Sequence, residues 1–410
     1  MKPTNLLMSA VAVALVLALA PAAPAAAGYK YKILYTFTGA ADGGWPASGL
    51  VFDSTGSLYG ATYSGGTLRT DCPYQGGCGV IFELSPQKNG HWKENVLFNF
   101  VRDTGGEPEN AQPLLVDNDG NLFGDTGALE PGSPAYIFEL TPGSGGWNFN
   151  PIYDGSGGCL VFDQAGDLYG CIPPGGIGEL SPGSNGWTYT DLYDFKCKPN
   201  CYDGNGEVEA PLSWDAKGRL YGTTLGGGSG DCSGGCGVAF QMTPNGDGTW
   251  NYHVLHRFGS FRQDGILPVG GLTLDAAGNA YGGTWAGGEY NCGNIFKLEP
   301  SDGRWKETVL YNLPGGSGSA CGAVSTLALG PAGALYGMAL GGDPKCGPCG
   351  VIYKLVPQES GKWKYSVLHT FHGPEGADPN GVMLDSKGNI FGTTFDGGKY
   401  GYGVVFEITP

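Results

Sequence analysis

The chain is poor in charge, and poorest in positive charge. Charged residues make up 15% of its 410 positions, with 22 Lys and Arg against 38 Asp and Glu. A formal net charge of −16 repels phosphate backbones and argues against a nucleic-acid partner. Low charge combined with 12% aromatic and 41% apolar residues also excludes a disordered chain. Long apolar runs are scarce. One, Leu6–Ala20, follows Lys2 and precedes Ala25-Ala26-Ala27, which is the make-up of a signal peptide over residues 1–27. No later run is long enough to cross a membrane, so residues 28–410 are expected outside the cell or in the periplasm, without a membrane span. The G-x-S-x-G nucleophile elbow and the H-E-x-x-H zinc motif are also missing.

Glycine is in excess instead, with 77 Gly and 28 Pro. Glycine costs roughly 1 kcal/mol at a helix interior position, so a helical protein is excluded. Collagen is excluded too, because Gly does not recur every third residue. An all-β chain with many turns remains.

Much of the glycine is periodic. A turn glycine recurs at Gly56, Gly120, Gly166, Gly218, Gly278, Gly333 and Gly388, about 55 residues apart. A second follows an aromatic in each copy, at Gly60, Gly124, Gly170, Gly222, Gly282, Gly337 and Gly392. Each copy closes on a proline, from Pro86 to Pro410. Blade 1 serves to name the strands: A over Leu50–Asp53, B over Leu58–Thr62, C over Gly79–Ser85, and D from Trp92 to Phe100. A D-x-x-G hairpin joins A to B. Four antiparallel strands per repeat make a propeller blade, and seven repeats predict a single seven-bladed β-propeller over residues 28–410.

The ring should close on itself. Six tryptophans open strand D: Trp92, Trp147, Trp187, Trp250, Trp305 and Trp363. Their periodicity marks them as structural. The seventh repeat ends at Pro410 without a strand D. Tyr29 precedes Phe37 by the spacing that separates Trp92 from Phe100, so the N-terminal strand is expected to complete the C-terminal blade.

The pattern G-L-x-x-D-x-x-G-x-L-Y-G-T-T-x-x-G-G…G-V-x-F-x-L-x-P stands well at Gly271–Gly288, Gly381–Gly398 and Gly403–Pro410. It resembles the GloVer repeat family of bacterial extracellular proteins, and the strand order looks like that of NHL-type propellers. The resemblance covers essentially all of residues 28–410. It implies no particular activity. Members of that family are named partly for C-terminal anchoring signals, whereas this sequence stops at Pro410 without one, so free secretion is expected.

The A–B and C–D turns share one face and are nearly uniform. The B–C and D–A connections share the other and vary greatly, which makes that face the expected ligand site. The repeat frame also places all twelve cysteines there. It predicts six disulfides: Cys72–Cys78, Cys159–Cys171, Cys197–Cys201, Cys232–Cys236, Cys292–Cys321 and Cys346–Cys349. The Cys346-Gly347-Pro348-Cys349 motif is read as structural, since a redox site of this kind needs a helix N-terminus. Blade 3 has glycine (Gly155, Gly178) where others carry phenylalanine, and the Cys159–Cys171 staple is expected to offset that loss.

Two groups on the variable face are candidate ligand residues. One is acidic: Asp42, Glu107, Asp203, Asp264 and Asp378 from five D–A loops. Four of them adjoin glycine, so turn formation is the competing reading. The other is aromatic: Trp45, Tyr63, Trp285, Tyr290, Phe395, Tyr400 and Tyr402, suited to stacking on sugar rings or anchoring a protein. Of the five histidines, His372 lies in a D–A loop and can reach a ligand. His91 sits in a C–D turn, and His253, His256 and His369 are read as packing or surface positions on D strands. No cofactor or metal is expected. Ca2+ would suit the acidic group, but no specific calcium motif is present.

These features favour a secreted, monomeric, non-enzymatic recognition module that binds a glycan or an extracellular protein. The competing reading is an extracellular polysaccharide lyase or glycoside hydrolase on the same face. It would use Asp42, Asp264 or Asp378 with His372, Arg102 or Arg262.

Overall fold

The computed structural model describes residues 28–410 except 68–71, 73–75, 106–111, 128–133, 156, 173–175, 196–200, 206–207, 209, 229–231, 316–319, 324 and 342–348. The expected signal peptide, residues 1–27, lies outside the described residues. No α-helix occurs among those described; two short 3-10 turns are the only helical elements. No described helix is long and apolar enough to cross a membrane.

The chain folds as a seven-bladed β-propeller. Blade 5 shows the plan, with strand A at Thr273–Leu274, B at Ala280–Gly283, C at Asn294–Ser301 and D at Arg304–Asn312. Neighbouring strands pair antiparallel in that order. The expected hairpins between A and B are present. In blade 1 the Asp53 carboxylate accepts from the backbone N–H of Thr55 at 2.8 Å and Ser57 at 2.9 Å, which turns the chain around Gly56. Asp117, Asp163, Asp215, Asp275 and Asp385 repeat this arrangement, while blade 6 substitutes a 3-10 turn at Pro331–Gly333.

The ring closes as the spacing predicts. The strand Lys30–Thr36 lies antiparallel to Val404–Thr409, from Lys30 opposite Thr409 to Thr36 opposite Val404. Strand D of blade 7 is therefore the first described strand, Lys30–Thr36.

The second periodic glycine has a packing cause. In six blades it faces an aromatic ring of strand C: Gly60 opposite Phe82, Gly124 opposite Phe138, Gly222 opposite Phe240, Gly282 opposite Phe296, Gly337 opposite Tyr353 and Gly392 opposite Phe406. The ring lies across the glycine, filling the space a side chain would take. Blade 3 pairs Gly170 with Gly178; there a Cβ on Gly170 would meet Leu160 Cδ2 at 2.6 Å, and the Tyr189 ring of strand D covers Gly178 instead.

Blades are joined by aromatic contacts that the periodic tryptophans make. The opening Trp of strand D packs on the strand-B aromatic of the preceding blade: Trp92 on Phe391, Trp187 on Phe123, Trp250 on Tyr169, Trp305 on Tyr221 and Trp363 on Tyr281. Seven apolar clusters fill the spaces between and within the blades.

Candidate loop-face site

Strand A begins, and strand B ends, on the face of the irregular loops. Four disulfides brace it: Cys72–Cys78, Cys159–Cys171, Cys232–Cys236 and Cys292–Cys321. Cys201 and Cys349 are also disulfide-bonded. Their expected partners, Cys197 and Cys346, lie outside the described residues.

The acidic group divides. Asp42 accepts from the Thr38 N–H at 2.9 Å, the Thr38 hydroxyl and the Tyr35 hydroxyl, which closes its own D–A loop. Asp264 does the same with the Ser260 N–H at 2.8 Å and hydroxyl at 3.1 Å, and it meets His256 Nε2 at 3.0 Å. Asp203 accepts from the Tyr193 hydroxyl. These three build loops. Their counterpart in blade 7 is Glu375, which accepts from the His372 N–H at 3.1 Å, and not Asp378. Glu107 lies outside the described residues.

Asp378 has a different setting. Its backbone is left-handed (φ 56°) ahead of Pro379, a costly conformation for a residue with a side chain. Burial first, and the charge of Asp396 second, push its carboxyl up to about 6. Trp45 has the same φ at the same point of blade 1, ahead of Pro46.

That turn sends the Trp45 indole onto blade 7, where it stacks on Phe395 (centroids 6.3 Å, planes 13° apart) and leans on Tyr402 at 5.3 Å. Tyr63 meets the same Phe395 edge-on at 6.1 Å. Four of the predicted aromatics thus form one cluster across the junction of blades 7 and 1. Trp285, Tyr290 and Tyr400 are not part of it in the contacts seen. They are exposed instead, and Lys399 Nζ lies 4.9 Å from the Tyr400 ring centre. Arg262 is exposed; so is His372, whose backbone N–H is held by Glu375.

Two exposed aromatics escaped the sequence reading: Tyr202 and Phe261, both in D–A loops. The large apolar side chains exposed among the described residues are Ile33, Val367 and five aromatics, namely Tyr202, Phe261, Trp285, Tyr290 and Tyr400. All five aromatics lie on the variable face. Their signal in the sequence is their place in D–A loops, away from the strand-B exits.

A cavity of about 740 Å³ occupies the ring's centre, lined by residues leading into strand A, such as Gly49, Gln112, Ser325 and Asn380, and by Trp285. Gln112 is 8% exposed, and neither atom of its amide has a hydrogen-bond partner among the described residues. The Ser325 hydroxyl is likewise buried and unpaired. Polar groups in this state favour a ligand that offers donors and acceptors. His256, Asp264 and Glu307 form a separate cluster whose ligand-type atoms lie within 4.8 Å of one another.

A sequence model of the Gloeobacter/Verrucomicrobia repeat matches residues 136–343. No curated protein matches the chain. Among solved structures, the chain is similar to the extracellular domain of a candidate hybrid two-component system from B. thetaiotaomicron. The TM-score is 0.52 at 13% identity, over 92% of this chain and 39% of that one. It is also similar to a protein of unknown function from Dyadobacter fermentans (TM-score 0.41, 9% identity, 93% and 98% coverage). A candidate 6-phosphogluconolactonase from Bacteroides uniformis gives TM-score 0.48 and 13% identity, covering 84% of this chain and 89% of that chain. At such identities the likeness extends to the fold alone.

Proposed function

The chain belongs to the Gloeobacter/Verrucomicrobia repeat family, and from that premise and the chemistry of the loop face we propose that it is an exported recognition module that binds a glycan. The observation that carries this reading is the segregation of all five exposed aromatics to the variable face. Flat apolar rings there offer stacking surfaces, and Trp285 continues that surface into the central cavity. The unpaired amide of Gln112 and hydroxyl of Ser325 suit the hydroxyls of a sugar better than an apolar protein anchor. Disulfide-braced loops fit an oxidising compartment, which agrees with the signal-peptide reading. The test is retention of the purified protein on a panel of immobilised polysaccharides. Trp285→Ala with Tyr290→Ala should weaken retention by about 10-fold or more, as losing a stacking anchor costs about 1–2 kcal/mol. Unchanged retention in that variant would sink the proposal.

One observation favours a second reading, hydrolysis. Asp378 keeps its proton to about pH 6 beside the exposed Asp396, the kind of pair in which one carboxyl donates a proton and the other stays charged. Release of reducing ends by the wild type, abolished in Asp378→Asn, would replace binding with catalysis.

A further inference from the structure

All seven blade junctions use the same two positions on strand D. The residue six places after the opening aromatic of one strand faces the residue two places after it in the next blade. At five junctions both are rings: Phe98 with Phe149, Tyr153 with Tyr189, Tyr193 with Tyr252, Tyr311 with Tyr365, and His369 with Tyr31, at centroid distances from 4.0 to 5.3 Å. Two junctions replace a ring with a carboxyl. Tyr35 faces Glu94 between blades 7 and 1, and His256 faces Glu307 between blades 4 and 5.

The second of these holds the makings of a metal centre. His256 Nε2 lies 3.0 Å from Asp264 Oδ2 and 4.0 Å from Glu307 Oε2. The Asp264 side chain is wholly buried, that of Glu307 is 3% exposed, and that of His256 is 13% exposed. Neither oxygen of Glu307 has a hydrogen-bond partner among the described residues. A buried carboxyl in that state must hold a proton or a cation. The aromatic contact of the sister junctions would avoid the problem, so this junction gives up packing for three donor atoms.

We propose that His256, Asp264 and Glu307 bind one divalent first-row transition-metal ion, such as Zn2+ or Mn2+, which clamps blade 4 to blade 5. The donor set decides the class, since an imidazole with two carboxylates suits these ions better than the all-oxygen preference of Ca2+. Ligands at about 2.1 Å from a tetrahedral ion stand about 3.4 Å apart, and the separations of 3.0 and 4.0 Å bracket that. Ser260 donates its N–H and hydroxyl to the same Asp264 Oδ2 that faces His256, which fixes the orientation of the carboxylate. The partly exposed edge of His256 leaves a way in for the ion and for water in the fourth position.

The test is calorimetric titration of untagged, chelator-stripped protein with ZnCl2, MnCl2 and CaCl2, with melting followed in parallel. One equivalent of Zn2+ or Mn2+ should bind and raise the melting temperature. Glu307→Gln should weaken that binding at least about 10-fold. His256→Tyr combined with Glu307→Tyr should rebuild the ring stack of the Tyr311–Tyr365 junction, fold, and take up no ion there. The proposal falls if no stoichiometric uptake occurs at millimolar metal. It falls equally if only Ca2+ binds, or if uptake is unchanged in both variants.

Discussion

Alanine at Gly282 should destabilise the protein through one contact. A Cβ there would lie 2.5 Å from Phe296 Cζ, with Cε1 and Cε2 at 3.0 and 3.2 Å. Carbon atoms prefer about 3.5–4.0 Å, so the ring must retreat by about 1 Å. It has nowhere to go: Phe296 is fully buried and packs on Phe258 at 5.0 Å. Overpacking of this kind costs about 1–3 kcal/mol. The backbone itself raises no objection, because Gly282 is not among the left-handed glycines. Gly278→Ala is the contrast. A Cβ there meets nothing within 4 Å, but φ is +83°, and the cost of about 1–2 kcal/mol is purely conformational. Urea unfolding with disulfides intact separates the two causes. Phe296→Leu should relieve Gly282→Ala, giving a coupling of about 1 kcal/mol, and should simply add to Gly278→Ala. A Gly282→Ala protein as stable as wild type, or zero coupling with Phe296→Leu, would refute the ring-over-glycine account.

Glu94 predicts a pH dependence. Burial, helped by the Asp42 charge, raises its carboxyl from the usual range to about 7. The folded state therefore holds this proton more tightly than the unfolded one, and the stability it confers is complete below about pH 4.5 and lost as pH rises through 7. Glu94→Gln should flatten that decline, with a melting temperature above wild type at pH 8 and little changed at pH 4; equal melting curves at pH 8 would contradict it. Cys321→Ser opens the disulfide that spans 29 residues between loops of blades 5 and 6. The chain-entropy estimate is a loss of roughly 3–4 kcal/mol in denaturant titration, and a loss under 1 would point to residual order in the unfolded chain.

The repeat and the ring were legible because each blade is built from short-range rules. Asp53 with Gly56 makes a hairpin wherever the pair recurs; the pair stands in six blades and the Gly333 turn marks the other, which fixes seven. The seam was legible because Tyr29 and Phe37 carry strand D's spacing. Four of the six expected disulfides, those with both cysteines described, followed from the same frame. The site was harder to read. Asp378 looked like one more loop acid, but its backbone leaves the loop and Glu375 fills that role. Asp42, Asp203 and Asp264 served the turns, as the adjacent glycines suggested. His256 reads as a packing or surface position because Glu307 sits one blade on, on a separate strand, where no local pattern ties them. Contacts between blades depend on how far each strand D slides along its neighbour, and that offset is set by packing across the whole ring.

A row of repeats with two free ends loosens from those ends, because the outermost units have one neighbour each. This molecule has no outermost unit. The first described strand belongs to the last blade, so every blade is held on both sides. The covalent break sits inside a sheet, where six residue pairs from Lys30–Thr409 to Thr36–Val404 span it. Loosening any one blade then strains two junctions at once, and the stability of the whole hoop is shared evenly by parts that would be marginal alone.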